Sequence, residues 1–400
     1  MRFPPSFLDE IRARVPVSEV VGKRVKLRKQ GREWAGLSPF NAEKTPSFFV
    51  NDQKGFYKDF SSGKHGDGFT FLMETEGLSF PEAVERLAAM AGLPMPASSR
   101  ESAEQENKRA SLRDILAMAA VVFEDNLQGR IGAKARGYLA DRRIEAKAQR
   151  EFGIGYASGE RFALRDALAA KGTSAEQMTA CGLLIHGEDI AVPYDRFRDR
   201  IMFPIHDRGG RIIGFGGRAM DAGAPAKYLN SPETELFHKG SLLFNHHRAR
   251  KAAHDKGQVI AVEGYFDVMA MAAAGFPQTV APLGTALSAD QCELLWRMAS
   301  EPILCFDGDQ AGRKAAFRAI DVALPLIRPG KSLSFALLPE GQDPDDLFRA
   351  SGPGAIEEAL AAARPLAEML FLRETDAQVF DTPERRAALE RRLHLSLIHI

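Results

Sequence analysis

Val259-Ile260-Ala261-Val262 runs straight into Glu263-Gly264, and the design returns twice: Ile303-Leu304-Cys305-Phe306 ends on Asp307-Gly308-Asp309, and the run from Leu333 to Leu338 is followed by Gln342-Asp343-Pro344-Asp345-Asp346. With Thr279 to Pro282 these are apolar runs of strand length that alternate with helix-length segments, which predicts a compact, mostly parallel sheet. Such sheets bind ligands outside the carboxyl ends of their strands, and the three acidic segments fall there. Asp307 and Asp309, two residues apart on an extended turn, can face one pocket, with Gly308 letting the backbone approach a ligand closely. Carboxylate oxygens suit hard divalent ions such as magnesium. A bound pair of ions cancels the mutual repulsion of the acids and can stabilise attacking and leaving oxygens in phosphoryl transfer. Taken singly, each segment also reads as a helix cap or an Asp-Gly turn. All three on successive strands of one unit read as a metal site.

Upstream of Gln258 the pattern changes. Residues 1–96 form a first module that ends near Pro94-Met95-Pro96. Lys26 to Phe71 is dense in aromatic and turn residues, and Ser79-Phe80-Pro81-Glu82 opens a helical pattern through Val84, Leu87, Ala88 and Leu93. This predicts a small β-rich unit closed by a helix. Residues 97–111, rich in Ser, Glu and Lys, read as a linker. Residues 112–256 mix helical periodicity from Leu112 to Leu127 with strands at Ile201 to Ile205 and Arg211 to Phe215. Residues 257–340 hold the parallel sheet, and residues 341–392 continue as an acidic loop and a helical end. Gly214 to Gly217 lacks the G-x-G-x-x-G spacing of a dinucleotide loop and reads as a tight turn. Residues 393–400 read as a non-native tail, because Leu395 to Ile400 match one translation of a transposon end used in sequencing libraries. The class is α/β, or α+β over the whole chain.

Four hundred residues exceed one hydrophobic core, so two or three domains are expected. A composition 45% hydrophobic and 26% charged excludes disordered and fibrous classes. No stretch approaches the roughly 20 apolar residues of a spanning helix, and Met1 to Glu10 lacks the apolar core of a secretory signal. The expected location is the cytoplasm, with no membrane partner. Cys181, Cys292 and Cys305 fit neither a disulfide framework nor a Cys-x-x-Cys metal site, and read as buried small apolar residues. Net charge is zero, with 53 basic and 53 acidic residues, so only local charge is informative. Between Arg2 and Glu33 basic residues predominate, notably from Lys23 to Lys29, either as a solvated face or as a polyanion contact.

The acidic segments resemble the Toprim domain of bacterial primases, topoisomerases and some nucleases, through Val262-Glu263-Gly264-Tyr265-Phe266-Asp267 and Asp307-Gly308-Asp309. The surrounding text separates these families. Glu43-Lys44-Thr45-Pro46-Ser47-Phe48, His65-Gly66-Asp67, Tyr138-Leu139, Arg200 to Ile205, Gly214 to Arg218 and Lys227 to Thr234 follow in the order and spacing of DnaG-type primases, over residues 1–392. That resemblance implies a ribbon-like template-binding module, a polymerase core and a Toprim subdomain. The implied activity is DNA-templated synthesis of short RNA primers from ribonucleoside triphosphates, a two-metal nucleotidyl transfer. Glu263, Asp307 and Asp309 would be catalytic. Together with Asp343 and Asp345 they would hold magnesium, with manganese as a substitute, and Asp267 would support them. Arg196, Arg218, Lys227 and Lys239, with Arg198 and Arg200 beside them, would form a basic track for template phosphates or triphosphates. The implied partners are single-stranded DNA, ribonucleotides and, for the full-length protein, a replicative helicase of the DnaB type. On that resemblance the helicase-binding domain is expected to be missing. A monomer is expected.

The family's zinc ligands would align with Ser38, Asn41, Asp59 and Ser62, of which only Asp59 is a plausible ligand. Zinc is therefore not expected, and an aromatic core must hold the module, with Trp34, Phe40, Phe48, Phe49, Phe56, Tyr57, Phe60, Phe69 and Phe71 as candidates. One or two of these rings could instead stack on unpaired bases. Two other readings stay open: another Toprim enzyme, a nuclease or topoisomerase, which would cut DNA rather than join ribonucleotides, and a non-catalytic single-strand-binding protein, which would have no need of the acids.

Overall fold

A computed structural model describes residues 3–96, 100–284, 286–376 and 379–397, and the chain divides into two compact units, Met1–Ala103 and Glu104–Ile400. The first unit begins with α1 (Pro5–Arg14) and α2 (Val17–Gly22). A five-stranded antiparallel sheet follows in sequence order: β1 (Arg28–Gln30), β2 (Glu33–Gly36), β3 (Phe48–Asn51), β4 (Phe56–Asp59) and β5 (His65–Gly66). It closes with α3 (Gly68–Glu76) and α4 (Phe80–Met90). Strand alternation decides what is buried. Phe48 and Val50 pair with Asp59 and Tyr57 on the inner face, while Phe49 and Lys58 pair on the outer one. Phe48 stacks on Tyr57 at 5.2 Å, and Phe71 meets that ring edge-on at 5.4 Å. Phe69 is buried too, and Trp34 and Phe40 pack at the rim of this core. Phe60, expected in the core, is 64% exposed and lies edge-on against Phe49. Helix α4 opens as read: Ser79 N–H and Oγ both donate to Glu82.

Helix α5 (Arg100–Gln128) carries the chain from the first unit into the second, so residues 97–111, read as a linker, are helical from Arg100 onward. The Glu, Lys, Arg and Ala there are good helix formers, so a polar composition did not rule out a helix. Next come α6 (Ala133–Asp141), α7 (Ala146–Glu151), β6 (Gly155–Ala157), α8 (Ala163–Ala169), α9 (Ala175–Ala180) and a small ribbon of β7 (Leu184–Ile185) and β8 (Tyr194–Asp195). Strands β9 (Arg200–His206), β10 (Ile212–Ala219) and β11 (Tyr228–Asn230) join β6 in an antiparallel sheet of order β11-β10-β9-β6. Gly214 to Gly217, read as a turn, lies inside β10 instead. The glycines make room for rings: a Cβ at Gly216 would sit 2.3 Å from Tyr265 Oη, and one at Gly214 2.8 Å from the Phe237 ring.

The remaining chain runs β12 (Leu243–Phe244), α10 (His246–Lys256), β13 (Ile260–Ala261), α11 (Tyr265–Ala273), β14 (Thr279–Pro282), α12 (Ala289–Met298), β15 (Ile303–Phe306), α13 (Gln310–Ala323) and β16 (Ser334–Leu337). It ends with α14 (Pro344–Ser351), α15 (Pro353–Ala361), β17 (Arg364–Pro365), α16 (Leu366–Thr375) and α17 (Pro383–Leu397). The sheet order is β12-β14-β13-β15-β16-β17, with the four central strands parallel and antiparallel edges. Helices pack on the sheet and leave Trp296, Phe335 and Ile320 almost without solvent contact. Phe203 of β9 stacks on Tyr265 at 4.7 Å, which joins the two sheets in one core. The three cysteines are buried and free, as read. Of residues 393–400, read as a tail, residues 393–397 continue α17 and residues 398–400 lie outside the described residues.

Candidate active site

The sheet order brings the acids together. Strands β13, β15 and β16 are neighbours, so the turns leaving their carboxyl ends, at Glu263, Asp307 to Asp309 and Asp343, lie side by side. Each turn feeds a helix. Asp309 caps α13 by accepting from Gly312 N–H (2.7 Å), and Asp343 caps α14 through Asp346 N–H (2.7 Å). The capping reading and the metal reading of these two aspartates are thus compatible, because each cap uses one oxygen of two. Gly308 serves the neighbouring loop rather than a ligand. Its N–H donates to Gln342 O (3.0 Å), its carbonyl accepts from Gly341 N–H (3.3 Å), and a Cβ there would lie 1.8 Å from Pro339 O.

Electrostatics show what the cluster lacks. Asp307 is raised to about 7, first by burial and then by Glu263, Asp343, Asp309 and Asp346, and its Oδ1 is buried without a hydrogen-bond partner. Glu263 still reaches solvent, but burial and then the nearby acids raise it despite an N–H from Asp307 (3.3 Å). Asp267, buried in the first turn of α11, is raised well above the usual range by burial and by Asp343, Asp307, Asp345 and Glu263. Asp343, Asp345 and Asp346 place ligand oxygens within 4.8 Å of one another. A divalent cation fits these acids as a group: hard oxygens, the orphaned buried Oδ1 of Asp307, and negative charge offset only in part, by Arg142 and Arg349 at Asp345 and by Arg349 at Asp346. Asp346 was not among the residues singled out from the sequence.

Asp345 is 3% exposed and is held by two arginines, Arg142 Nη1 at 2.6 Å and Arg349 Nε at 3.4 Å. Arg142 also lies over the rings of Phe266 (4.8 Å) and Tyr138 (5.4 Å) and donates to Tyr138 Oη (2.5 Å). The sequence reading did not single it out. It lies 203 residues from Asp345, and no local spacing couples the two. Arg218 also lies over the Tyr138 ring, 4.3 Å from its centre.

The basic residues divide by what they already hold. Arg200 is buried and donates to the carbonyls of Gly217, Ala226 and Lys227, so it braces the loop, which corrects its reading as a phosphate contact. Arg196 donates twice to Asn230 O. Arg198, Lys227 and Lys239 are exposed.

Comparison with known proteins places these features. Residues 3–103 match the CHC2 zinc finger, 122–250 the N-terminal domain of the DNA primase catalytic core, and 257–336 the Toprim domain. A DNA primase of Escherichia coli O6:H1 is 40% identical over 390 residues, covering 97% of this chain and 67% of that protein. The Pseudomonas aeruginosa DNA primase is 42% identical over 373 residues, covering 92% of this chain and 56% of that protein. The Aquifex aeolicus primase, zinc-binding and RNA polymerase domains, aligns with a TM-score of 0.61 at 30% identity, covering 99% of this chain and 97% of that one. A DnaG primase catalytic domain bound to single-stranded DNA aligns with a TM-score of 0.64 at 35% identity, covering 73% and 97%.

Proposed function

The chain belongs to the DnaG-type bacterial DNA primases, RNA-polymerase-type nucleotidyltransferases, and from that premise we propose that its own residues suffice to join ribonucleotides on a single-stranded DNA template. One observation carries the reading: three neighbouring parallel strands deliver Glu263, Asp307 and Asp343 to one place, where their charges are not balanced. In the reaction the 3′-hydroxyl of one nucleotide attacks the α-phosphorus of the next triphosphate, forming a P–O bond as pyrophosphate leaves. Glu263, Asp307 and Asp309, with Asp343, Asp345 and Asp346, would hold magnesium, or manganese in its place. When bound, the ions acidify the attacking hydroxyl and neutralise charge on the phosphate. Asp267 sits in the first turn behind these acids and supports their placement. Arg142 and Arg349 orient Asp345 through their ion pairs.

The polyanions would lie along Arg196, Arg198, Arg218, Lys227 and Lys239, with Arg200 as brace. Arginine offers phosphate a bidentate fork and lysine a point charge, and neither reads sequence. Among the described residues no helix is long and apolar enough to cross a membrane. We assign the protein to the cytoplasm, where template and nucleotides are. The chain spans 56% to 67% of the two relatives above, and a DnaB-type helicase is proposed as partner of the longer protein only. The direct test is to incubate the chain with single-stranded DNA, ribonucleoside triphosphates and magnesium, and to resolve short RNA products. DNA cleavage without RNA synthesis would overturn the reading.

A further inference from the structure

The first unit matches a zinc-finger family, yet its four ligand positions carry the wrong chemistry for zinc, and the structure shows what they do instead. Asp59 sits at the end of β4 with its side chain turned to the inner face, and it is 0% exposed. Its Oδ2 accepts from Ser38 Oγ (2.6 Å) and Ser62 Oγ (2.5 Å), and its Oδ1 from Ser61 N–H (3.1 Å) and Ser61 Oγ (3.0 Å). Ser47 Oγ is also 3.1 Å from Oδ1, but its single proton has a shorter path to Glu43 Oε2 at 2.6 Å. Ser38 Oγ in turn accepts from Phe40 N–H and Asn41 N–H (3.1 Å each), while Asn41 Nδ2 donates to Ser61 Oγ (3.4 Å). Every former ligand position is therefore engaged in one network that ties the β2–β3 loop to the β4–β5 turn.

Polarity decides against a metal. A structural zinc site points deprotonated thiolates or imidazole lone pairs at a central cation. Here hydroxyl and amide protons point at a central carboxylate, so the sign of the centre is inverted. The buried charge has several donors on its two oxygens, the condition under which an ionised carboxylate can be kept inside a protein. Just beneath lie Phe40, Phe48 and Tyr57, with Phe40 6.3 Å from each of the other two rings.

We propose that Asp59 is the centre of an anionic knot that replaces zinc in this ribbon: it cross-links the same two loops from the same four positions, and the module folds without metal. The proposal rests on residues 38–62 alone and is independent of the acid cluster of the second unit. The test uses the full chain. Purified from zinc-supplemented medium, it should carry far less than one zinc per molecule, and a strong chelator should leave amide hydrogen exchange over residues 33–66 unchanged. The variant S38C/N41H/D59C/S62C, which restores the ligand types, should bind one zinc per chain and become chelator-sensitive over the same amides. Asp59→Asn reverses half of the acceptor capacity and should speed exchange there at least about tenfold. One zinc per parent chain, a folded fourfold variant that binds none, or unchanged exchange in Asp59→Asn would each overturn the proposal. If the fourfold variant does not fold, the parent's metal content and Asp59→Asn still decide.

Discussion

Two aspartates in this chain, each at the end of a β-strand and each in a nest of oxygen atoms, are driven in opposite directions. Asp59 is lowered to about 2, because donors from Ser38, Ser62 and Ser61 outweigh the upward push of burial. Asp307 is raised to about 7 by burial and by Glu263, Asp343, Asp309 and Asp346, and its buried Oδ1 meets no donor. The residue type is the same, and so is the sense of the desolvation. What differs is the ring around each: protons face Asp59, and lone pairs face Asp307. A carboxylate among donors is a finished structural element, whereas a carboxylate among carboxylates calls for a cation. On the two proposals above, one nest serves stability and the other chemistry.

The most direct way to break that contrast is to neutralise each nest in turn. Glu263→Gln should lower primer synthesis by at least about a thousandfold, since the group acts where charge develops in the reaction. Its melting temperature without magnesium should hold or rise, because a repulsive charge is gone. Dinucleotide formation and calorimetry on the same preparation read both quantities. Parent-like synthesis would remove Glu263 from the site, and a fall in melting temperature would make the cluster structural.

Arg142→Ala attacks the one buried acid of the second nest that does have cationic partners. Removing an arginine at 2.6 Å leaves Asp345 with Arg349 alone, and breaking buried pairs of this kind costs about 3 kcal/mol. We expect that loss of stability together with a fall in primer synthesis of about tenfold or more. Arg142→Lys keeps the charge but not the planar stack on Phe266 and Tyr138, so it should recover only part of each. Urea unfolding and primer yield measure the two effects. Full recovery by lysine would show that charge alone positions Asp345.

How much of this was legible depends on whether the physics was local. The strands ending on Glu263, Asp307 and the Asp343 segment could be read because an apolar run, a carboxylate and a helix start are contiguous in sequence. The α4 capping box could be read for the same reason. Gly214 to Gly217 could not: the ring that excludes a side chain at Gly216 comes from Tyr265, some fifty residues on. Neither could Arg142, whose partner lies 203 residues away, nor Arg200, whose acceptors are backbone carbonyls that no composition reveals. In the first unit residue types alone told that Ser38, Asn41, Asp59 and Ser62 offer neither thiolate nor imidazole. The network that stands in their place depended on three serines, an asparagine and an aspartate meeting across two turns.

The Asp59 nest can be tested by proton rather than by substitution. Because its folded value lies below the ordinary 3.8, its contribution is complete above that ordinary value and drains away as pH falls through about 2. Lowering pH across that window should therefore weaken the first unit by roughly 1 to 2 kcal/mol, the scale of a hydrogen bond to a charged group. Asp59→Asn should be weaker at neutral pH and lack that dependence. Hydrogen exchange over residues 33–66 at about pH 5 and about pH 3 would show it. A parent and variant with parallel pH profiles would mean that Asp59 does not carry the charge assigned to it.

The same distinction between a satisfied charge and an available one runs through the basic residues, where its effect is smallest and most specific. Arg200 and Lys227 carry equal charge and lie on neighbouring segments, but Arg200 gives its protons to Gly217, Ala226 and Lys227 carbonyls while the Lys227 side chain is exposed. Only a cation that meets a phosphate displaces counterions, and on a single strand each such contact adds about 0.7 to the slope of log affinity against log salt. Lys227→Ala should thus flatten the slope by about that amount and weaken binding equally for different template sequences, with the fold intact. Arg200→Lys should do the reverse: it cannot span three carbonyls, so it should loosen the loop and lower the melting temperature while leaving the slope alone. Fluorescence anisotropy of labelled single strands across a salt series, set beside melting curves, separates the two. A slope that moves with Arg200 and not with Lys227 would exchange their roles and return Arg200 to the track.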